Sequence, residues 1–128
     1  MFKAVEALTK GIEIPLPQGF TFVDNGGTIR SRMRVRWWDK SATTYRKAAL
    51  LTPAECAALP DSPIPDHACM AADQKPVFFG HYWLNGKPGL QGPTSACVDY
   101  SACKGGPLVA YRYDGEPELR DDKFAWAD

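Results

Sequence analysis

The stretch "TIRSRMRVRWWD", residues 28–39, is the most regular in the chain, with Ile29, Met33, Val35 and Trp37 at odd positions and Arg30, Arg32, Arg34 and Arg36 at even ones. Side chains on a strand alternate between faces, so this period predicts a β-strand with an apolar row on one side and a guanidinium row on the other. Successive arginines on such a strand stand about 6.5–7 Å apart. Just ahead of it, "DNGG" at 24–27 is a strong turn signal following "FTFV" at 20–23. The two runs together predict a hairpin.

Working outward, Val5 and Leu8 with Phe2 and Ile12 fall near one face of a short helix that Gly11 stops. Pro15, Pro17 and Gly19 then force an extended, turn-rich connection. From Ser41 to Asp73 the chain is polar and proline-broken. Within it "TPAECAALPD" predicts a short helix with Thr52 as cap, Pro53 in its first turn and Pro60 beyond its end. "DSPIPDHACMAADQ" at 61–74 reads as a loop. Strands are predicted at 75–80, 95–101 and 107–114, and the "CKGG" between the last two permits a tight reversal if Gly105 and Gly106 take positive φ. The fold class that follows is α+β, a mainly antiparallel sheet with short helices, in a single segment of 128 residues.

Fifteen basic residues balance fifteen acidic ones. No global field therefore draws the chain to nucleic acid or an anionic membrane, and any electrostatic function is local. No apolar run approaches the roughly 20 residues that span a bilayer, and "MFKAVEALTKG" mixes charges into its apolar positions, so a soluble, cytoplasmic protein is expected. The four cysteines, Cys56, Cys69, Cys97 and Cys103, read as thiols in that compartment. Cys56, His67, Cys69 and His81 are zinc-binding residue types, but they lack the short clips of structural zinc sites.

Three stretches carry a family resemblance: "RVRWWD" at 34–39, "PVFFGHYWL" at 76–84 and "ACVDYSACKGGPLVAYRYDGE" at 96–116. Together they resemble the C-terminal half of a calcineurin-like metallophosphoesterase, of the bacterial serine/threonine phosphatase and symmetrical diadenosine tetraphosphatase type. The likeness runs from "AVEALTKG" and "PLPQGFTF" to "YRYDGE". It implies the C-terminal part of that family's β-sandwich and a two-metal centre of Mn, Fe or Zn type that activates water for attack on phosphorus. The family's Asp-x-His, Gly-Asp-x-x-Asp-Arg and Gly-Asn-His-Glu motifs, which build most of that centre, do not occur in this sequence. Trp83 stands where many members carry a second histidine, as in the tetraphosphatase-like branch.

The resemblance makes His81 a ligand of one metal; without it, His81 reads as the polar end of a buried strand, satisfied by a backbone carbonyl. It sets Arg34 and Arg36 near substrate phosphate, which guanidinium groups clamp in pairs, whereas the bare pattern fits a solvated face equally well. Asp99 and Tyr100 orient the site by resemblance and, read alone, are turn and packing residues. Cys97 and Cys103 have no activating neighbour legible in the sequence, and His67 beside Asp66 reads as exposed.

The expected function is that of the C-terminal portion of a phosphoesterase, inactive on its own. Its partners would be a phosphorylated small molecule or phosphoprotein and either a second copy of the chain or a complementary N-terminal half. The alternatives are a stand-alone ligand- or partner-binding protein and a hydrolase with a newly assembled site.

Overall fold

The computed structural model describes residues 2–24, 26–68 and 75–128. It divides into two compact units, one of residues 11–71 and one of residues 1–10 with 72–128. Helix α1 (Phe2–Lys10) opens the chain, with an Lys10–Glu6 pair one turn apart at 3.2 Å, and Gly11 follows it at φ 88°, as the expected stop requires.

In the unit of residues 11–71, β1 (Glu13–Pro15) comes first, then the predicted hairpin of β2 (Phe22–Val23) with β3 (Ile29–Arg30). Asp24 builds the turn. Its Oδ1 accepts from the amides of Gly26 and Thr28 at 2.9 Å, and its Oδ2 accepts from Arg30 Nε at 2.7 Å. The Thr28 bond and then Arg30 hold this carboxyl below the usual range. The arginine run does not continue as one strand. It changes partner at Ser31, whose carbonyl accepts from Leu16, and resumes as β4 (Arg32–Arg34) antiparallel to β1, with Ile14 opposite Met33. Alternation therefore holds at Met33 and Val35, both fully buried, but Ile29 is 71% exposed and Trp37 lies in a turn.

Ile14, Met33 and Val35 form a core with Ala48, Ala49, Leu59 and Ile64. The short α2 (Tyr45–Ala48), which the sequence pattern does not predict, carries Ala48 into it. The predicted helix forms as α3 (Pro53–Ala58) with a full capping box: Thr52 accepts from the Glu55 amide, and the Glu55 carboxylate accepts from the Thr52 amide. At its other end Arg46 donates Nε and a terminal nitrogen to Leu59 O at 3.0 and 2.9 Å.

In the second unit, β5 (Val77–Phe79), β6 (Leu90–Gly92) and β7 (Ser95–Cys97) form a sheet in the order β5-β7-β6. β6 pairs antiparallel with β7 through a bulge, whereas β5 runs parallel to β7. β8 (Leu108–Tyr111) pairs antiparallel with β9 (Phe124–Ala127). β6 and β9 have no counterpart among the predicted strands, and β5, β7 and β8 are shorter than predicted. The core is Ala96, Tyr100, Val109, Leu119 and Phe124, with the Tyr111 ring edge-on to Phe124 at 5.2 Å. The class is α+β with small, mainly antiparallel sheets.

The reversal after β7 uses its two glycines differently. Gly105 takes φ +85° with open space around it, whereas Gly106 is needed for room, since a Cβ there would lie 1.9 Å from the Tyr100 carbonyl oxygen. Gly106→Ala is therefore expected to cost more than Gly105→Ala in urea denaturation. The overpacked backbone is worth about 1–3 kcal/mol, and the left-handed residue about 1–2 kcal/mol. Equal midpoint losses would mean that the Tyr100 peptide moves aside without penalty.

Candidate functional site

Gly80 ends β5 with its missing side chain facing Asp99, where a Cβ would approach Asp99 Cβ at 3.5 Å. The next residues alternate in and out. His81 is exposed, Tyr82 is buried with its ring edge-on to Phe79 at 5.2 Å, and Trp83 is 45% exposed. His81 and Trp83 both lie in the left-handed region (φ 67° and 50°), as does Ser101 (φ 64°). For non-glycine residues this conformation costs on the order of 1–3 kcal/mol each and persists only where surrounding contacts enforce it.

Asp99 supplies such contacts at Trp83 and Ser101. Its Oδ2 accepts from the Trp83 amide at 3.4 Å, its Oδ1 from the Ser101 amide at 3.1 Å, and its carbonyl from the Leu84 amide at 3.1 Å. Ser101 Oγ donates to Leu84 O at 3.2 Å and closes the brace. The outcome is a ledge of exposed groups. The His81 ring lies nearly parallel to Trp83 (11°, centroids 6.1 Å apart), and Lys104 Nζ sits 3.8 Å from the Trp83 ring centroid in a cation–π contact. Imidazole, indole and ammonium together can meet a ligand that carries negative charge beside a flat face.

Asp99 thus fixes the backbone on which the ledge is built. Tyr100 is buried and points away from that brace; its hydroxyl accepts from the Gly89 amide at 3.0 Å and from Gln91 Nε2 at 3.3 Å, which holds β6 in place. Arg34 and Arg36 belong to the unit of residues 11–71. Arg34 is half-buried with Nε 3.6 Å from Glu13, whereas Arg36 is exposed. Arg30 pairs with Asp24 at 2.7 Å, and Arg32 donates to Glu13 O at 2.8 Å. Two acidic residues thus compete with any phosphate for most of the stripe. Trp83 and Lys104 are the site members that residue reading does not assign; their signal is the aromatic two places after His81 and the lysine before the glycine pair.

Among the described residues no group of three or more His, Cys, Asp or Glu side chains converges to hold a metal ion. The donor set here does not by itself fit the two-metal centre that the resemblance implies. Of the possible zinc ligands, Cys56 Sγ lies against the carbonyls of Ala49 and Leu51 at 3.7 and 3.6 Å, His67 is exposed, and Cys69 lies outside the described residues. Cys97 is fully buried, and burial pushes its thiol up to about 11; Cys103 is exposed. In comparisons with known proteins, no family model, no curated protein and no solved structure matches this chain.

Two outcomes follow from this geometry. Asp99→Ala is expected to speed hydrogen exchange at the Trp83 and Ser101 amides by at least tenfold with little change at the Tyr111 and Ala125 amides; unchanged exchange would show that the ledge is held by packing alone. For Cys97 the raised value means that the unfolded chain loses this proton first as pH rises. Its stabilising contribution is therefore whole below the ordinary thiol value of 9.0 and lost progressively toward 11. Cys97→Ser should flatten the fall in denaturation midpoint between those limits, and an identical fall in the variant would assign it to other groups.

Proposed function

We propose that this chain is the C-terminal portion of a metal-dependent phosphoesterase of calcineurin-like type, in which His81 is a metal ligand and the carboxylate ligands come from another segment. The observation that carries the reading is the presentation of His81. A histidine kept for packing would be buried and relaxed, but this one is exposed just after β5 in a strained backbone conformation, two residues before the Trp83 amide that Asp99 holds. Divalent ions of Mn, Fe or Zn type would supply water activation and charge neutralisation at phosphorus. By the resemblance Arg34 and Arg36 would serve the phosphate of a small ester or a phosphoprotein; Asp99 holds the backbone at Trp83, two residues beyond His81, and Tyr100 holds β6. Exposed apolar residues such as Ile29 and Leu108, at 71% and 70%, support association with a second copy or a complementary N-terminal half.

A second reading, a stand-alone module that binds a phosphorylated ligand without catalysis, is favoured by the Lys104–Trp83 contact, which puts a cation beside an exposed ring without any metal.

The experiment pairs the chain with a separately produced N-terminal half of a calcineurin-like enzyme and follows Mn binding and aryl phosphate hydrolysis. The chain alone is expected to show negligible hydrolysis. The mixture should gain metal binding and turnover, and His81→Ala should weaken the metal by at least the 10- to 100-fold typical of disturbing even an outer ligand partner. Equal metal affinity with Ala at position 81 would overturn the role of His81. Metal-independent phosphate binding by the chain alone, lost in Lys104→Gln, would replace the first reading with the second.

A further inference from the structure

The unit of residues 1–10 and 72–128 carries a cavity of about 450 Å³ that the ledge does not use, lined by Lys87, Pro88, Asp121, Asp122, Phe124 and Trp126. That volume lies in the range of small-molecule sites. Phe124 and Trp126 are two apart on β9 and share a face. Phe124 is buried and forms an apolar base, whereas Trp126 keeps 46% of its surface exposed at the wall. An indole left in water beside a cavity is unfavourable area with nothing covering it.

The polar groups decide which ligand fits. Asp122 is already neutralised: Arg120 donates Nε and a terminal nitrogen to its two oxygens at 3.0 and 2.8 Å. Asp121 Oδ1 accepts from the Leu90 amide at 2.8 Å, which ties the two walls together and leaves Oδ2 as an acceptor. Lys87 has no hydrogen-bond or ion-pair partner among the described residues and supplies a donor. The charges of Asp121 and Lys87 oppose each other, so the site has no net pull on an anion or a cation. It offers one strong acceptor, one strong donor and a flat apolar ring.

We propose that this cavity binds a neutral carbohydrate, with one face of a pyranose ring against Trp126 and neighbouring hydroxyls shared between Asp121 and Lys87. Each sugar hydroxyl both donates and accepts, so a carboxylate and an ammonium that line the same cavity can share a vicinal pair that neither would satisfy alone. The C–H face of the ring covers the exposed indole. An ammonium ligand would meet Lys87, and a phosphate would meet Asp121, each at like charge.

The full-length chain, ¹⁵N-labelled, would be titrated with methyl β-glucoside, maltose and cellobiose, and in separate arms with tetramethylammonium and inorganic phosphate. At least one saccharide should shift the Trp126 indole N–H and the Leu90 amide together. Trp126→Ala should weaken that saccharide at least tenfold, Trp126→Phe less, and Lys87→Met several-fold. Asp121→Asn keeps an acceptor for Leu90 and should therefore stay folded while losing affinity. Unchanged thermal melting of the Lys87 and Asp121 variants separates lost binding from lost fold. Saturable binding of tetramethylammonium or phosphate with the same Trp126 dependence, and none by any saccharide, would overturn the proposal. Failure of every arm would also overturn it. Neither result bears on His81, which lies on the separate ledge.

Discussion

The exposed ledge of the second unit depends on one residue, Asp99. Its carboxylate and carbonyl receive three amides, from Trp83, Leu84 and Ser101, and its Cβ faces the gap left by Gly80. It also forms the single bridge to Leu108 that joins the end of β7 to the start of β8. Buried or half-buried acceptors that satisfy several backbone donors are expensive to remove, because each amide left behind loses its partner. A loop that leaves a strand, turns through left-handed residues and returns cannot use strand pairing to satisfy its own amides. Asp99 does this for it.

The same bracing explains why polar and aromatic groups of the 81–83 segment face outward while Tyr82 between them is buried. With β5 ended at Phe79, an extended continuation would simply have carried the pleat onward. The left-handed turns at His81 and Trp83 instead break the pleat and hold both rings on one side. Strain of this kind is kept only when something else repays it. The stacking of His81 on Trp83 and the approach of Lys104 are modest contacts at exposed positions, so local packing alone is a weak counterweight.

Much of the local structure is legible in the sequence because it rests on local chemistry. The "DNGG" turn, the Gly11 stop and the Thr52–Glu55 capping box each involve residues a few positions apart, and each appears where the pattern places it. Features that depend on distant partners are not legible. The arginine run breaks at Ser31 because β1 and β2 compete for it, and no period within residues 28–39 records that β1 lies alongside. β5 pairs parallel to β7, with β6 intervening in the sequence but not in the sheet, a pairing that no turn signal announces. β6 is hidden by the glycines and prolines of "GKPGLQGPTS", whose irregular backbone is rescued by Gln91 accepting the Cys97 amide and by Tyr100. At the candidate site, resemblance singles out His81 and Asp99, but the roles of Trp83 and Lys104 depend on backbone angles that residue types do not encode.

Size sets the remaining constraint. A chain of 128 residues divided into two compact units gives each about as much material as the smallest independent domains, and a domain of about 60 residues buries only about 60% of the surface its unfolded chain exposes. Each core is correspondingly small, and alanines make up much of the one built on Ile14, Met33 and Val35. Capping and side-chain brackets then carry weight that a larger core would carry by burial: Arg46 on the Leu59 carbonyl, Asp24 in its turn, Tyr100 on Gly89 and Asp99 on the ledge are all polar contacts that fix backbone. Such contacts are directional, so they define positions well while contributing only about 0.5–1.5 kcal/mol each. A scaffold held this way keeps its exposed side chains well placed but has little reserve against loss of any one bracket. Variants that remove a bracket must therefore be checked for folding before their effect on binding is read.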